Sequence, residues 1–233
     1  MKNTISENEV EQIALSLSHL LMLPTIKNLI LDLGGVLYDI RYENIADTFR
    51  NYGLQGFEKL YVQAGQAKEI DLFEEGKITP EQFRTFIRTL TTNSLTDKQI
   101  DYAWNAILID LPELRIHLLK ELRKKYRVFL FSNTNAINQI EFERFVIEKF
   151  GENIFETHFE KAYYSHTLGI KKPKPEAFLK ICEEQNLIPA ETLFIDDTER
   201  HILGAQKAGL QTYWLHQENL ENSNIINNLL SKP

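Results

Sequence analysis

A chain of 233 residues with 43% apolar and 25% charged residues buries a sizeable core and suits one domain, or one domain with an insertion. Its net charge of -7, with no basic face to meet a phosphate backbone, excludes nucleic acid as a partner. A single cysteine, Cys182, excludes an intramolecular disulfide and a zinc cluster.

The chain opens with an acidic segment, Glu7, Glu9 and Glu11, the wrong sign for a signal peptide. Ser6 with Glu9 forms a capping-box pattern for an amphipathic helix to about Leu23. The apolar run Leu20 to Leu23 is too short to cross a bilayer, so the reading is a cytoplasmic protein with no membrane partner. After Pro24, residues 27 to 33 form the first strong strand, inside LILDLGGVL (residues 29 to 37). From about 43 to 110 helical periodicity dominates. Thr79-Pro80-Glu81-Gln82 combines an N-cap, a first-turn proline and a capping-box Gln. Thr96 with Gln99 repeats the device ahead of a face of Ile100, Ala103, Trp104 and Ile107. This block reads as an inserted, all-helical subdomain.

Pro112 opens a helix to about Tyr126, ending in the basic cluster Arg123-Lys124-Lys125, which answers the helix dipole. RVFLF (127 to 131) is a second buried strand ending at Ser132, and a long helix follows near 136 to 150. Lys161 to Tyr164 is a weak strand. Pro175 to Asn186 is a helix whose apolar stripe, Phe178, Leu179 and Cys182, makes the thiol a core residue. ETLFI (191 to 195) runs into Asp196-Asp197, a helix spans about 199 to 208, and Gln211 to Leu215 is a last strand, where Trp214 packs. Strands alternating with helices of this length imply an α/β fold with a parallel sheet covered on both faces.

Polar residues stand at the carboxyl ends of these strands, where open α/β sheets bind ligands. Asp32 ends the first, Ser132 the second, Asp196-Asp197 the fourth, and Lys172 follows the weak third. Together they suit phosphoryl transfer. An Asp acts as nucleophile once charge repulsion is offset. Paired carboxylates and backbone carbonyls suit magnesium. A lysine and a cation neutralise the transferring group, and a hydroxyl holds one of its oxygens.

The motifs LILDLGGVL, VFLFSNTN, LGIKKPKP and LFIDDTERHILGA, in this order, resemble the four signatures of the haloacid dehalogenase superfamily over about residues 27 to 216. The resemblance implies a Rossmann-like core with strand order 5-4-1-2-3 and a small helical cap inserted after the first strand. It implies residues 25–42 and 110–233 as core, 43–109 as cap and 1–24 as an N-terminal helix. It makes Asp32 the nucleophile and a metal ligand, beside the Gly34 carbonyl and Asp197, with Asp196 a supporting ligand and Mg2+ the ion. Ser132 and Lys172, rather than Lys171 or Lys174, fall at the phosphate-binding positions, with Asn133 and Gly35 as further phosphate contacts. DLFEEGKITPEQF resembles the cap of small sugar-phosphate phosphatases, and the motif set is most similar to the bacterial α-D-glucose-1-phosphate phosphatase group. The implied partner is a small phosphorylated molecule; the chain as monomer or dimer stays open.

One departure stands out. The usual second acid, two residues after the nucleophile, is Gly34 here. Three explanations are open: Asp39 supplies the acid, the leaving group needs less protonation (as an anomeric hydroxyl does), or the protein is a weak relative that binds phosphorylated ligands without turnover. Glu74-Glu75 reads as a solvated helix end, and His166 and His201 as ordinary loop or helix residues.

Overall fold

The computed structural model describes residues 25–62 and 65–231; the helix expected over residues 1–24 lies outside them. Five parallel strands form the central sheet: β1 (Asn28–Leu31), β6 (Arg127–Ser132), β7 (Lys161–Tyr164), β8 (Thr192–Asp196) and β9 (Gln211–Trp214). Their spatial order is β7-β6-β1-β8-β9, which is the expected 5-4-1-2-3 when the five are counted along the chain.

Alternation along the strands sends side chains to two different cores. Leu29, Leu31, Val128, Leu130, Leu193 and Ile195 face one side. There they meet helices α5 (Glu113–Arg123), α6 (Ala136–Phe150) and α11 (Asn224–Ser231) through Leu119, Phe142 and Ile226. Ile30, Phe129, Phe131 and Phe194 face the other, against α9 (Pro175–Gln185) and α10 (Glu199–Lys207). Cys182 lies in that second core, and burial pushes its thiol up to about 11; Leu179, expected beside it, is exposed. Both faces of the strands are covered, which is why they read as continuous apolar runs.

Between β1 and β6 the chain builds a separate cluster around Phe49, Phe57, Phe73, Phe83 and Trp104. Helices α1 (Glu43–Asn51), α2 (Lys68–Glu74), α3 (Pro80–Thr89) and α4 (Asp97–Asn105) enclose it. Both capping boxes form: Thr79 Oγ1 accepts from Gln82 N while Gln82 Oε1 accepts from Thr79 N, and Thr96 and Gln99 do the same. The block is not purely helical. It holds a hairpin of β3 (Tyr61–Val62) and β4 (Gly65–Gln66), and its two ends join as β2 (Asp39–Ile40) against β5 (Leu108–Asp110). Strands of two or three residues are too short to leave a period-2 signal. No helix among the described residues is long and apolar enough to cross a membrane.

Candidate active site

The register of β1 with its two neighbours decides what meets at the sheet's carboxyl edge. Leu31 pairs with Leu130 on one side and Ile195 on the other. The chain beyond these pairs therefore brings Asp32, Ser132 and Asp196 side by side. The loop after β7 and α8 (Ser165–Leu168) delivers Lys172. Its ammonium is fully buried, 2.7 Å from Asp32 Oδ1 and 2.7 Å from Asp196 Oδ2. Asn133 holds that loop in place: its Nδ2 donates to the Lys172 carbonyl and its Oδ1 accepts from the Lys172 N–H, each at 2.9 Å. The Asn133 amide expected at phosphate is thus committed to positioning the lysine. The neighbouring basic residues turn elsewhere: Lys171 to Asp71 and Glu74, Lys174 to Glu75.

A cavity of about 80 Å³ opens above these residues. Asp32, Gly34, Ser132, Asp197 and His201 line its core side; Tyr42, Tyr61, Glu74, Ile107 and Leu108 close it from the helical block. Asn135 does not reach into it with a free amide. It caps α6 through Ile137 N and Asn138 N and accepts from Trp104 Nε1 at 3.1 Å, tying the block to the core.

The electrostatics are lopsided. Three carboxylates, Asp32, Asp196 and Asp197, surround one buried ammonium. Burial raises the Asp32 pKa well above the usual value, Lys172 opposes that, and Asp196 and Asp197 reinforce it. Asp196 is held below the usual range, against its burial, by Lys172 and His201. Asp197 is pushed up to about 6 by burial and by Asp196. The raised pKa values of Asp32 and Asp197 reflect buried negative charge in excess of the single Lys172 ammonium. Hard oxygen donors in that arrangement suit a magnesium-sized divalent cation, and the oxygens of Asp32 and Asp196 lie with a His201 ring nitrogen within 4.8 Å of one another.

The two glycines of the first motif differ in purpose. Gly35 adopts φ +78°, and a Cβ there would stand 2.3 Å from Asp197 Oδ2; only glycine lets the turn pass under the carboxylate. Its N–H donates to the Tyr38 carbonyl at 2.9 Å and is not offered to phosphate, which corrects the expected contact. Gly34 shows no such backbone demand. A Cβ there would meet Ile40 Cδ1 at 2.9 Å, so an isoleucine tip crowds the space that a second acid would use.

The structure does not bring Asp39 to the cavity. Its carboxylate pairs with Arg115 Nη1 at 2.7 Å, and Arg115 also holds Glu221 at 2.8 Å and the Leu37 carbonyl at 3.1 Å. Asp39 therefore anchors the β2 neck to α5 in place of acting as the proton donor.

Several residues escaped sequence reasoning. Glu74 and Glu75 are buried, not solvated, and pair with Lys171 and Lys174. His201, read above as an ordinary helix residue, lies in the first turn of α10 and places Nδ1 3.1 Å from both Asp196 oxygens. Trp214 Nε1 donates to the Asp197 carbonyl at 2.9 Å, which ties the turn after β8 to β9. His166 stays outside the chemistry, stacked on Tyr164.

Comparison with known proteins agrees with this fold. The model of the haloacid dehalogenase-like hydrolases matches residues 26–209. A D-ribitol-5-phosphate phosphatase of Bacteroides thetaiotaomicron is 31% identical over 191 residues, which cover 81% of this chain and 91% of that one. The crystal structure of the enzyme bt-2542 of the same organism, as a magnesium complex, superposes with TM-score 0.79 at 36% identity, covering 89% of this chain and 99% of that one. The same enzyme with magnesium and inorganic phosphate gives TM-score 0.72 at 40% identity, covering 81% and 93%. With its matched family model, its sheet order and its strand-end carboxylates, this chain belongs to the haloacid dehalogenase-like hydrolases.

Proposed function

We propose that the protein is a magnesium-dependent phosphatase that hydrolyses monophosphates of small sugars or polyols. The observation that carries this reading is the Lys172 ammonium, fully buried between Asp32 and Asp196 at 2.7 Å each. A buried lysine with two carboxylates is costly as a structural device, and here it lies beside a cavity where an anionic phosphoryl group fits. The relatives support the substrate class: one is named for ribitol 5-phosphate, and another was crystallised with magnesium and phosphate.

Asp32 Oδ attacks phosphorus, forming an aspartyl-phosphate as the leaving alkoxide departs. Lys172 offsets the repulsion between the carboxylate and the phosphoryl oxygens, and the Ser132 hydroxyl donates to one of those oxygens. A bound magnesium ion would be held by Asp32, the Gly34 carbonyl and Asp197, and supplies charge neutralisation to the phosphoryl oxygens. Water then attacks the aspartyl-phosphate, releasing phosphate and restoring Asp32. The helical block acts as a cap that excludes bulk water from these steps. With Gly34 in place of an acid and Asp39 bound to Arg115, the departing alkoxide takes its proton from solvent, and a more acidic leaving group depends on that proton less.

The weak-binding alternative draws on the same missing acid. Phosphate release from ribitol 5-phosphate and α-D-glucose 1-phosphate, with magnesium and then with chelator, separates the two. Release that needs magnesium and vanishes in Asp32→Asn supports the enzyme; binding of phosphate without release supports the alternative.

A further inference from the structure

Glu74 is a buried carboxylate in an odd place. It ends α2, is only 5% exposed, and lines the cavity opposite Asp32 and Ser132. Lys171 Nζ stands 2.7 Å from its Oε2, and the Tyr61 hydroxyl donates to it. Lys171 is the residue immediately before the catalytic lysine, and it also holds Asp71 on the same helix. Behind the pair, Gly76 lets the end of α2 close onto the core: a Cβ there would meet the His166 carbonyl at 2.1 Å. Well-packed apolar residues would hold this seam at least as firmly as a buried ion pair. The pair's position in the cavity wall gives it another use.

We propose that Glu74, oriented by Lys171 and Tyr61, is the specificity-determining residue that restricts the leaving group to an uncharged polyhydroxyl. This rests on the phosphatase reading above. A carboxylate accepts hydrogen bonds from several hydroxyls and offers nothing to an aryl or alkyl group. Neutralised in part by Lys171, it tolerates the phosphoryl group held across the cavity by Lys172. A second anionic group on the leaving side would meet Glu74 in a low-dielectric space already rich in carboxylates. Tyr42 and Tyr61, tilted against each other with ring centroids 5.3 Å apart, complete a wall of amphipathic rings suited to a carbon chain bearing hydroxyls. Recognition by buried polar groups discriminates steeply against analogues that leave them unpaired.

The test compares kcat/KM on ribitol 5-phosphate, p-nitrophenyl phosphate and 3-phosphoglycerate for wild type, Glu74→Gln and Tyr61→Phe. In Glu74→Gln, the preference for ribitol 5-phosphate over p-nitrophenyl phosphate should fall about tenfold or more, carried by KM. Its preference over 3-phosphoglycerate should fall by at least as much. Tyr61→Phe, which removes one hydroxyl and leaves no buried charge alone, should shift both ratios in the same direction by a smaller factor. Ratios unchanged in both variants, or a wild type that prefers 3-phosphoglycerate, overturn the assignment of Glu74 and leave the phosphatase intact. A wild type that releases phosphate from none of the three overturns the phosphatase reading itself.

Discussion

The Lys172 ammonium and the Asp32 carboxylate meet at 2.7 Å with the lysine wholly out of solvent. The attacking group of the proposed reaction is thus kept beside the charge that lets an anion approach it. Lys172→Met removes that charge and leaves Asp32 and Asp196 facing each other. Phosphatase turnover should fall by about 10³-fold or more, and folding stability by about 3 kcal/mol, the cost of an uncompensated buried charge. Steady-state kinetics and urea unfolding of the same variant check the two parts. Activity within tenfold of wild type would sink the role given to Lys172.

Magnesium should stabilise the fold more at alkaline than at acid pH. The Asp197 carboxyl ionises near 3.8 when unfolded and at about 6 when folded without a cation. Its folded pKa is raised, so the cation-free fold loses stability as pH climbs through that window and stays weakened above it. A bound cation removes the penalty, and below the window protons compete with it. Thermal melts with and without magnesium should differ more at about pH 8 than at about pH 5. An equal or larger shift at the lower pH would remove Asp197 from the ligand set.

Asp39→Asn should leave turnover near wild type on both an anomeric and an alkyl phosphate, since the carboxylate answers Arg115 and does not line the cavity. Arg115→Met is the informative partner. It abandons Glu221, Asp39 and the Leu37 carbonyl together, and should cost about 3 kcal/mol of stability with turnover of the folded fraction kept. A selective loss of alkyl-phosphate turnover in Asp39→Asn would return that residue to the mechanism.

Gly34→Asp tests the missing acid directly. Glycine's backbone freedom is not in use at this position, and the obstacle to a side chain is the movable tip of Ile40. A general acid contributes about 10² to 10⁴ in rate. The substitution, combined with Ile40→Val to open space, should raise turnover on an alkyl phosphate far more than on an anomeric one, whose leaving group is already the better acid. Equal gains on both would show that protonation is not what limits this enzyme.

Much was legible in the chain because strand ends and helix caps are local. The runs before Asp32, Ser132 and Asp196-Asp197 announce both the parallel sheet and its ligand-binding edge, since the middle of a strand covered on both faces is apolar and polar residues stand at its ends. Thr79 and Thr96 announce their helices through reciprocal bonds three residues apart. The family resemblance pointed to Lys172 beside Pro173, and it is this lysine, not Lys171 or Lys174, that the structure buries between Asp32 and Asp196. What the tertiary structure alone decided are pairings between distant segments. Asp39 goes to Arg115, 76 residues on, and Glu74 to Lys171, 97 residues on. Asn133 goes to the main chain of Lys172. Whether a charged side chain faces solvent, a substrate or a partner of opposite sign depends on which elements pack against it. Local periodicity carries no record of that.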